Sequence, residues 1–419
     1  MTRTSSLLGA LVAASLFSTA ATATNGYFKH GYGVRSQGMA GVAMALPQDS
    51  LAAATNPAGT GLVGERVDAG LTWFRPDRGA RIDGNLAGLD GNYSGNGDSA
   101  FFIPEFGFTG AVSERLHLGV AVHANGGMNT SYRNNPFAAF GATGTAGVDL
   151  SQLFVTPSLA FSPLEGHSVG IAATWAYQRF EATGLQPFDN PAFSESPGAV
   201  SNNGKDDSQG WGLKLGWIGQ LHERLRAGVA WSSEIDMDRF DDYAGLFADR
   251  GGFDIPRSYG AGLAFDATPQ LTVALDWQRI DYSRIQSVGN SLSLLLQGQP
   301  LGSADGPGFG WRDIEVVKLG ASYRLNDALT LRAGASHAGQ PIPSGEAFIN
   351  VLAPGVIQHH VSVGATWTSQ LLGEWSLAYT RGLEETVRGS TAIPMAFGGG
   401  ATTLRMDQDI LAVGWSMMF

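Results

Sequence analysis

Hydrophobic and polar positions alternate strictly over the last residues of the chain. Leu411, Val413, Trp415, Met417 and Phe419 fall on one side of this alternation, and small or mixed residues fall on the other. A period of two is the period of a β-strand, whose successive side chains point to opposite faces. A strand with one wholly apolar face has to keep that face out of water, so this segment predicts a strand that borders a core or a membrane.

The same alternation recurs from Val67 onward, in segments that are separated by turn residues. About fourteen such segments can be counted, and an even number of alternating strands is typical of bacterial outer-membrane barrels. The predicted fold class is therefore all-β, a transmembrane antiparallel β-barrel formed by residues 66–419. We place its strands at residues 66–78, 99–111, 115–128, 151–162, 168–182, 206–220, 225–238, 254–265, 271–283, 311–324, 330–338, 356–368, 374–388 and 404–419.

The connections between these predicted strands are alternately short and long. Residues 113–114 and 222–224 are examples of the short class, and residues 79–98 and 284–310 are examples of the long, polar, glycine-rich class. Outer-membrane barrels have short periplasmic turns and longer extracellular loops. A soluble β-sandwich has no reason to sort its loops by length, so the alternation favours the barrel.

The amino-terminus has the pattern of an export signal. Met1 and Arg3 form a positive start, residues 7–17 are apolar, and residues 21–23 give an A-x-A cleavage site. The apolar stretch is shorter than the ~20 residues that a helix needs to cross a bilayer, which argues against an anchor. We expect a signal peptide at residues 1–23 and a mature chain that begins at Thr24.

Composition agrees with an exported barrel. The chain has no cysteine, 58 glycines among 419 residues and 15% charged residues, where soluble proteins have about 25%. Its Trp, Tyr and Phe residues are numerous enough for the aromatic girdles of a barrel. The formal net charge of −11 argues against nucleic acid as a partner.

Residues 24–65 do not alternate, and we expect them to form a partly helical hatch. Short helical pieces are predicted at 35–45 and 49–55, the second capped by Asp49 or Ser50 and ended by Pro57. The inward faces of the predicted strands carry mostly very small side chains, so about fourteen strands would enclose a wide lumen. The hatch is the available segment to plug that lumen.

A few charged residues are predicted to face the lumen. Lys214, Lys318 and Arg332 are the bases, and Asp276 lies on a strand next to that of Lys318, close enough for the two to pair. One interpretation is that these charges satisfy each other or the hatch. The other is that one or more of the bases binds the carboxylate of a ligand.

Two motifs of the hatch carry a resemblance to a known family. The runs Asn25-Gly26-Tyr27-Phe28 and Asn56-Pro57-Ala58, ahead of an even-stranded barrel that ends in Phe419, resemble the FadL/OmpP1/TodX family. Members of that family are outer-membrane transporters of long-chain fatty acids and other hydrophobic compounds. The resemblance implies passive transport by a non-enzymatic protein without cofactor or metal, with Asn25 to Phe28 as an amino-terminal gate.

The family resemblance also implies a route. Substrate would lodge among apolar extracellular loops, move to a pocket beside the mature amino-terminus, and leave sideways into the bilayer through a gap made by a kink in the third strand. Asn125-Gly126-Gly127 interrupts that strand here and is the candidate kink, with a simple strand end as the alternative. The candidate docking residues, which are apolar residues of two long loops, are Leu294, Leu295, Leu296, Tyr243 and Phe247.

The expected location is the outer membrane of a Gram-negative cell, and the expected state is a monomer. Expected partners are a hydrophobic small molecule such as a long-chain fatty acid, membrane lipid and lipopolysaccharide, and the barrel-assembly machinery, for which Phe419 would be the signal. Two alternatives stay open: an aromatic-hydrocarbon channel of the same fold, and an outer-membrane enzyme or adhesin. Ser336-His337 and His359-His360 do not favour the enzyme, because adjacent strand residues point to opposite faces.

Overall fold

The computed structural model describes residues 25–419, so the predicted signal peptide lies outside the described residues. Its strands form one antiparallel sheet in which each strand pairs with its neighbour in the chain, apart from one short strand, and β15 pairs back with β1. The sheet is therefore closed. Within residues 25–419, no helix is long and apolar enough to cross a membrane.

The strands run as follows: β1 Arg66–Asp83, β2 Gly91–Ser94, β3 Phe101–Ala111, β4 Leu116–Asn129, β5 Gly147–Leu164, β6 His167–Thr183, β7 Asp206–His222, β8 Leu225–Ser232, β9 Ser258–Asp266, β10 Leu271–Ile280, β11 Ile314–Asn326, β12 Leu329–Ala338, β13 His359–Ser369, β14 Gly373–Gly389 and β15 Ala401–Met418. Short helical turns occupy Val34–Gln37, Ala52–Thr55, Pro57–Gly61, Ala138–Phe140, Gln186–Phe188, Asp241–Tyr243, Ala248–Gly251, Tyr282–Arg284, Gln286–Gly289, Ser293–Leu296, Ser344–Glu346, Ile349–Val351 and Met395–Phe397.

Fourteen of the fifteen strands form the closed barrel, and β2 pairs only with the outer end of β1. The predicted all-β barrel of about fourteen strands is confirmed. The strand β2 was not predicted, because a strand of 4 residues is too short for its alternation to be recognised.

The two faces of the wall follow the predicted alternation. Ile171 and Val363 on the outer face are 47% and 57% exposed, whereas Ala172 and Ala176 on the inward face are at most 2% exposed. Exposed aromatic residues on the outer face include Trp211, Trp231, Trp367 and Trp375. The apolar outer face and the inner face of small side chains therefore lie where the sequence predicts them.

Residues 25–65, called the hatch below, lie inside the barrel. The turn Val34–Gln37 contacts β13 to β15, the turn Ala52–Thr55 contacts β4 and β5, and the turn Pro57–Gly61 contacts β4 to β7. The predicted helices at 35–45 and 49–55 are therefore much shorter than expected. The predicted cap is wrong: Leu51 is the N-cap and has no side-chain cap bond, while Asp49 accepts the Leu51 N–H at 3.1 Å before the helix begins.

The Asn56-Pro57-Ala58 motif anchors the hatch to the wall. Asn56 Oδ1 accepts the N–H of Ala58 at 3.1 Å and so caps the turn that begins at Pro57. Its amide Nδ2 donates to the carbonyl oxygens of Met44, Trp217 and Val229 at 2.9, 3.2 and 3.3 Å. One side chain therefore joins a helical turn, another hatch segment and two barrel strands.

The small inner face of the wall is what lets this motif approach. A Cβ at Gly216 would lie 1.9 Å from Asn56 Oδ1, and a Cβ at Gly170 would lie 2.3 Å from the Ala58 nitrogen. Any larger residue at these positions would push the motif away from β6 and β7. Glycine at these inner-face positions therefore allows close contact between the wall and the hatch, and does not only leave volume free in the lumen.

The Asn56→Ala variant should loosen the hatch without opening the barrel. Losing an N-cap costs about 0.5–2 kcal/mol, which corresponds to roughly 2- to 30-fold faster amide exchange in the turn that it caps. Hydrogen–deuterium exchange of residues 52–61 in the purified protein measures this. Asn326→Ala removes a comparable bond, to Ala328 N–H in an exposed turn, and serves as the control. Unchanged exchange in Asn56→Ala would contradict the anchoring role.

Candidate functional site

The barrel wall is interrupted between β3 and β4. Their ladder ends at the pair Phe106–Val122, although β3 extends to Phe101 and β4 continues to Asn129. Beyond that pair, residues 101–105 pair only with β1, and residues 123–129 pair with β5. The two strands therefore separate toward the extracellular side, and their facing backbone edges are not bonded to each other.

A β-bulge lies on β4 in this interruption. The register with β5 shifts between Ala124 and Gly126, which leaves Asn125 as the extra residue. The strand does not end at Gly126 and Gly127 but runs through them to Asn129. A bulge bends its strand and redirects backbone groups, so the candidate kink residues lie where β4 leaves β3.

Residues 25–29, called the arm below, bind the bulge from the lumen. Lys29 N–H donates to the Asn125 carbonyl at 2.8 Å, and Gly127 N–H donates to the Tyr27 carbonyl at 3.1 Å. Gly126 has to be glycine for this contact, because a Cβ there would lie 1.7 Å from the Tyr27 carbonyl oxygen. The arm thus forms hydrogen bonds with backbone groups of β4 beside the interruption.

The arm also reaches the other edge of the interruption. Lys29 Nζ lies 3.0 Å from Glu105 Oε2 on β3, and both side chains are at most 2% exposed. Glu105 receives a longer bond from the Gly33 N–H at 3.4 Å. The arm is therefore joined to β4 through its backbone and to β3 through a buried ion pair, so it closes the interruption from within.

A cluster of aromatic rings holds the arm in place. Tyr282 OH donates to the Asn25 carbonyl at 2.5 Å and lies 3.3 Å from the Phe28 nitrogen, whose N–H it accepts. The Tyr27 ring lies 5.1 Å from the Tyr282 ring and 5.9 Å from the Trp311 ring, between centroids. The predicted gate residues are all buried in this cluster.

The predicted lumenal bases all bind the hatch. Lys214 Nζ donates to the Ala54 carbonyl at 2.6 Å, Lys318 Nζ to the His30 carbonyl at 2.8 Å, and Arg332 Nε to Gln48 Oε1 at 2.8 Å. These contacts match the interpretation in which the hatch satisfies the bases. A ligand-binding role for them stays a prediction.

Asp276 and Lys318, which the sequence places close enough to pair, form no ion pair within residues 25–419 and bind the hatch instead. The two are cross-strand neighbours, but Asp276 Oδ2 accepts the N–H groups of Ala43 and Met44 at 2.8 and 2.9 Å. Lys318 turns instead to hatch carbonyls. The hatch backbone supplies two N–H donors to the Asp276 carboxylate and a carbonyl acceptor to the Lys318 ammonium. Each charge is therefore compensated without the other.

A lumenal pocket lies beside the arm. Its lining includes Phe28, Lys29, Tyr32, Phe154 and Lys214, and Lys318 also borders it. The pocket therefore combines aromatic surface with ammonium groups. Tyr32 OH donates to Asn125 Oδ1 at 2.8 Å, which connects the pocket wall to the bulge.

A second cavity lies among the extracellular loops, and none of its lining residues in the described part of the chain is charged. Of the predicted docking residues, Leu295 lines this cavity, whereas Leu294 and Leu296 do not, and Leu296 is 51% exposed. Tyr243 and Phe247 also do not line it; they are buried against Phe180, with ring centroids 4.8 and 4.6 Å apart. Both rings therefore pack the loop at residues 239–253 against β6.

The sequence reasoning missed the phenylalanines that line the loop cavity together with leucines. They come from four separate loops: Phe137, Phe188, Phe348 and Phe397. Phenylalanines inside glycine-rich polar loops were visible in the sequence and could have indicated a shared apolar surface.

Comparisons with known proteins agree with this geometry. Residues 10–390 match the family described as outer membrane protein transport protein (OMPP1/FadL/TodX). The chain belongs to this family. Members of this family are outer-membrane transporters of hydrophobic compounds. The barrel of this chain therefore lies in the outer membrane and has the fold of that transporter family.

Curated relatives of this FadL-family chain are distant. A long-chain fatty acid transport protein of Salmonella typhi is 21% identical over 291 residues, which cover 64% of this chain and 66% of the relative. Outer membrane protein P1 of Haemophilus influenzae is 25% identical over 316 residues, 67% of this chain and 66% of the relative. The matched part of the chain thus spans just under two thirds of the length of these relatives.

Solved structures share the fold. The Pseudomonas putida toluene transporter TodX matches with a TM-score of 0.66 and 17% identity, over 93% of this chain and 99% of that one. A Pseudomonas aeruginosa FadL homologue matches with a TM-score of 0.69 and 18% identity, over the same shares. At these identities the likeness concerns the fold alone.

Phe419 ends the FadL-family barrel at an exposed position. Its ring lies 6.0 Å from that of Phe108, between centroids, and its N–H donates to the Glu65 carbonyl at 3.2 Å. The side chain is 67% exposed. A role as the assembly signal stays a prediction.

Cross-strand register brings together side chains that sequence order kept apart. Ser336 Oγ lies 3.4 Å from His360 Nδ1, and both residues are buried. On the outer face, His359 Nδ1 lies 2.7 Å from Glu385 Oε1. His360 Nε2 faces the amide of Gln408 and has no carboxylate to orient it as a base.

We expect the stability of the hatch to depend on pH, because the hatch contains a buried carboxyl group. Burial, together with the nearby Asp68, raises the pKa of Asp49 to about 7, against the opposing effect of Arg35. The group therefore stays largely protonated in the folded hatch at pH values below about 7. Its contribution to stability is full below about pH 4 and is lost as the pH rises to 7.

Hydrogen–deuterium exchange of hatch residues 49–56 measures this effect, after correction for intrinsic rates. The opening equilibrium should increase by up to about tenfold per pH unit between pH 4 and 7. Asp49→Asn should remove that dependence, and Asp327→Asn in an exposed turn should keep it. The same pH profile in wild type and Asp49→Asn would contradict the assignment.

The Gly126→Ala variant should displace the arm from the bulge, because its Cβ would collide with the Tyr27 carbonyl oxygen. The chain has no native cysteine, so a single Asn25→Cys reports arm exposure through its rate of labelling by a water-soluble maleimide. We expect labelling at least about tenfold faster with Gly126→Ala, as for a local opening.

Gly345→Ala is the matched control, since a Cβ at Gly345 meets nothing within 4 Å. It should leave the labelling rate of the Asn25→Cys protein unchanged. Slow labelling in the Gly126→Ala protein would mean that the arm does not depend on this contact.

Proposed function

We propose that this chain is a passive transporter that takes up long-chain fatty acids or similar hydrophobic molecules and releases them sideways into the outer membrane. The observation that carries the proposal is the interrupted β3–β4 ladder, to both edges of which the arm is bonded from the lumen. A wall that needs a separate segment to close it can be opened when that segment moves.

The order of the cavities supports a route. The uncharged loop cavity accepts the ligand from outside, the lumenal pocket beside Phe28 and Lys29 holds it, and withdrawal of the arm joins that pocket to the interruption. An apolar molecule that moves this way never returns to water, so each step is favoured by burial of apolar surface. No energy-coupling step is required.

The lumenal bases support a carboxylate ligand. Lys29, Lys214 and Lys318 all border the pocket, and only Lys29 has a carboxylate partner among the described side chains. Fatty acids carry the matching charge, and five of the curated relatives are named as long-chain fatty acid transport proteins.

A second candidate is transport of neutral aromatic hydrocarbons. The phenylalanine-lined loop cavity favours it, because edge-to-face contacts with Phe137 and Phe188 suit an aromatic guest and no charge is present there. In this case the lumenal bases would serve only to bind the hatch.

Deletion of Asn125 tests lateral release. Removing the extra residue restores the register of β4 and takes away the carbonyl that binds the arm, so we expect the wall to close. Uptake of radiolabelled oleate, in a host without its own fatty acid transporter, should fall at least about tenfold while binding to the purified protein is kept. Parallel uptake of labelled toluene separates the two substrate classes.

Deletion of Leu325 is the matched control, because it removes a bulge from β11 away from the interruption. Oleate uptake should stay at the wild-type rate in that variant. Wild-type uptake after deletion of Asn125 would rule out lateral release, and a wild-type protein that takes up neither oleate nor toluene would rule out transport.

A further inference from the structure

A buried arginine without a counter-ion lies at the upper end of the interruption. Arg78 is on β1 and is 3% exposed. Its Nη1 donates to Asn129 O and Oδ1 at 2.6 and 3.3 Å, and its Nη2 donates to the carbonyls of Gly95, at 3.2 Å, and Asp98. Its Nε–H has no acceptor in the part of the chain that the structure describes.

No carboxylate forms an ion pair with Arg78 among residues 25–419, and in this Arg78 differs from the buried bases Arg66 and Lys29. Arg66, on the same strand, has the Asp68 carboxylate at 2.8 Å, and Lys29 has Glu105 at 3.0 Å. A guanidinium taken out of water with only neutral acceptors is poorly compensated. An anion that arrives with a ligand would supply the missing charge and could accept the free Nε–H.

The surroundings of Arg78 fit the rest of an amphiphilic molecule. It lines a cavity whose other walls include Phe74, Trp311, Met406 and Gly127. The guanidinium also lies 5.8 Å from the centroid of the Phe101 ring. The lining is therefore mostly apolar, with the Arg78 guanidinium and the Asn129 side chain as its polar groups, and this arrangement suits a hydrophobic acid.

We propose that Arg78 binds the carboxylate of a hydrophobic acid at a site distinct from the lysine-lined pocket. This inference rests on the proposed transport function. The site lies beside the interruption, because Gly127 of the bulge region lines it and Asn129 of β4 contacts Arg78. A ligand held here by its head group has its tail next to the edge of β4 that the arm covers.

Arg78 differs from the lumenal bases in the segments that accept its hydrogen bonds. Lys214, Lys318 and Arg332 donate to the hatch, whereas Arg78 donates to β4 and to the segment before β3. A purely structural role is the competing explanation, with Arg78 tying these two segments together. The two explanations differ for ligands that have the same tail and a different head group.

Equilibrium binding of palmitate and of hexadecanol to the purified full-length protein separates them. Arg78→Met should weaken palmitate binding by about tenfold or more and change hexadecanol binding by less than about twofold. Arg78→Lys, which keeps the charge, should retain an intermediate affinity for palmitate. Arg388→Met, an exposed base on the outer face of β14, is the control and should change neither.

Several outcomes would overturn the proposal. Equal loss of both ligands in Arg78→Met would assign Arg78 a structural role, and no loss of either would remove the site. Should Arg78→Met fail to fold, palmitate labelled with carbon-13 at its carboxyl should show a different carboxyl resonance in wild type and Arg78→Lys, and an identical resonance would contradict contact. A wild-type protein that binds neither ligand would instead contradict the proposed function itself.

Discussion

Every backbone N–H and C=O group inside a bilayer has to find a partner within the protein, and this constraint shapes the whole molecule. It closes the sheet through the pairing of β15 with β1. It also explains the arm, since β3 and β4 separate beyond Phe106 and Val122 and leave backbone groups that the membrane cannot satisfy. The arm binds Asn125 and Gly127 of β4, so the residues that seal the wall are the ones that the proposed function requires to move.

The interior follows from a second requirement, that buried charge be compensated. The hatch supplies carbonyls to Lys214 and Lys318 and backbone N–H groups to Asp276, so the lumen holds charged groups without many direct ion pairs. The buried ion pair of Lys29 with Glu105 joins the hatch to the wall. Movement of the hatch therefore exposes charge, which makes a ligand that brings its own carboxylate a natural partner for these bases.

Much of the architecture could be predicted because it is local. Alternation along Val169 and Ile171 fixes which side chains face lipid, and loop lengths fix which ends of the strands are periplasmic. The site depends on contacts between distant residues, such as Tyr27 with Gly127 or Asn56 with Trp217, and on register, such as Ser336 opposite His360. Neither periodicity nor composition contains that information. The bulge lay at the predicted glycines, but its partner did not follow from the sequence.

The central claim is that the arm has to leave the wall for a hydrophobic molecule to pass. A cleavable bifunctional maleimide between Lys29→Cys and Glu105→Cys, in a chain without other cysteines, would tether the arm to β3. We predict that oleate uptake falls to the background rate while the tether is intact and returns to the rate of the unlinked double variant after cleavage. Undiminished uptake through the tethered protein would contradict the claim.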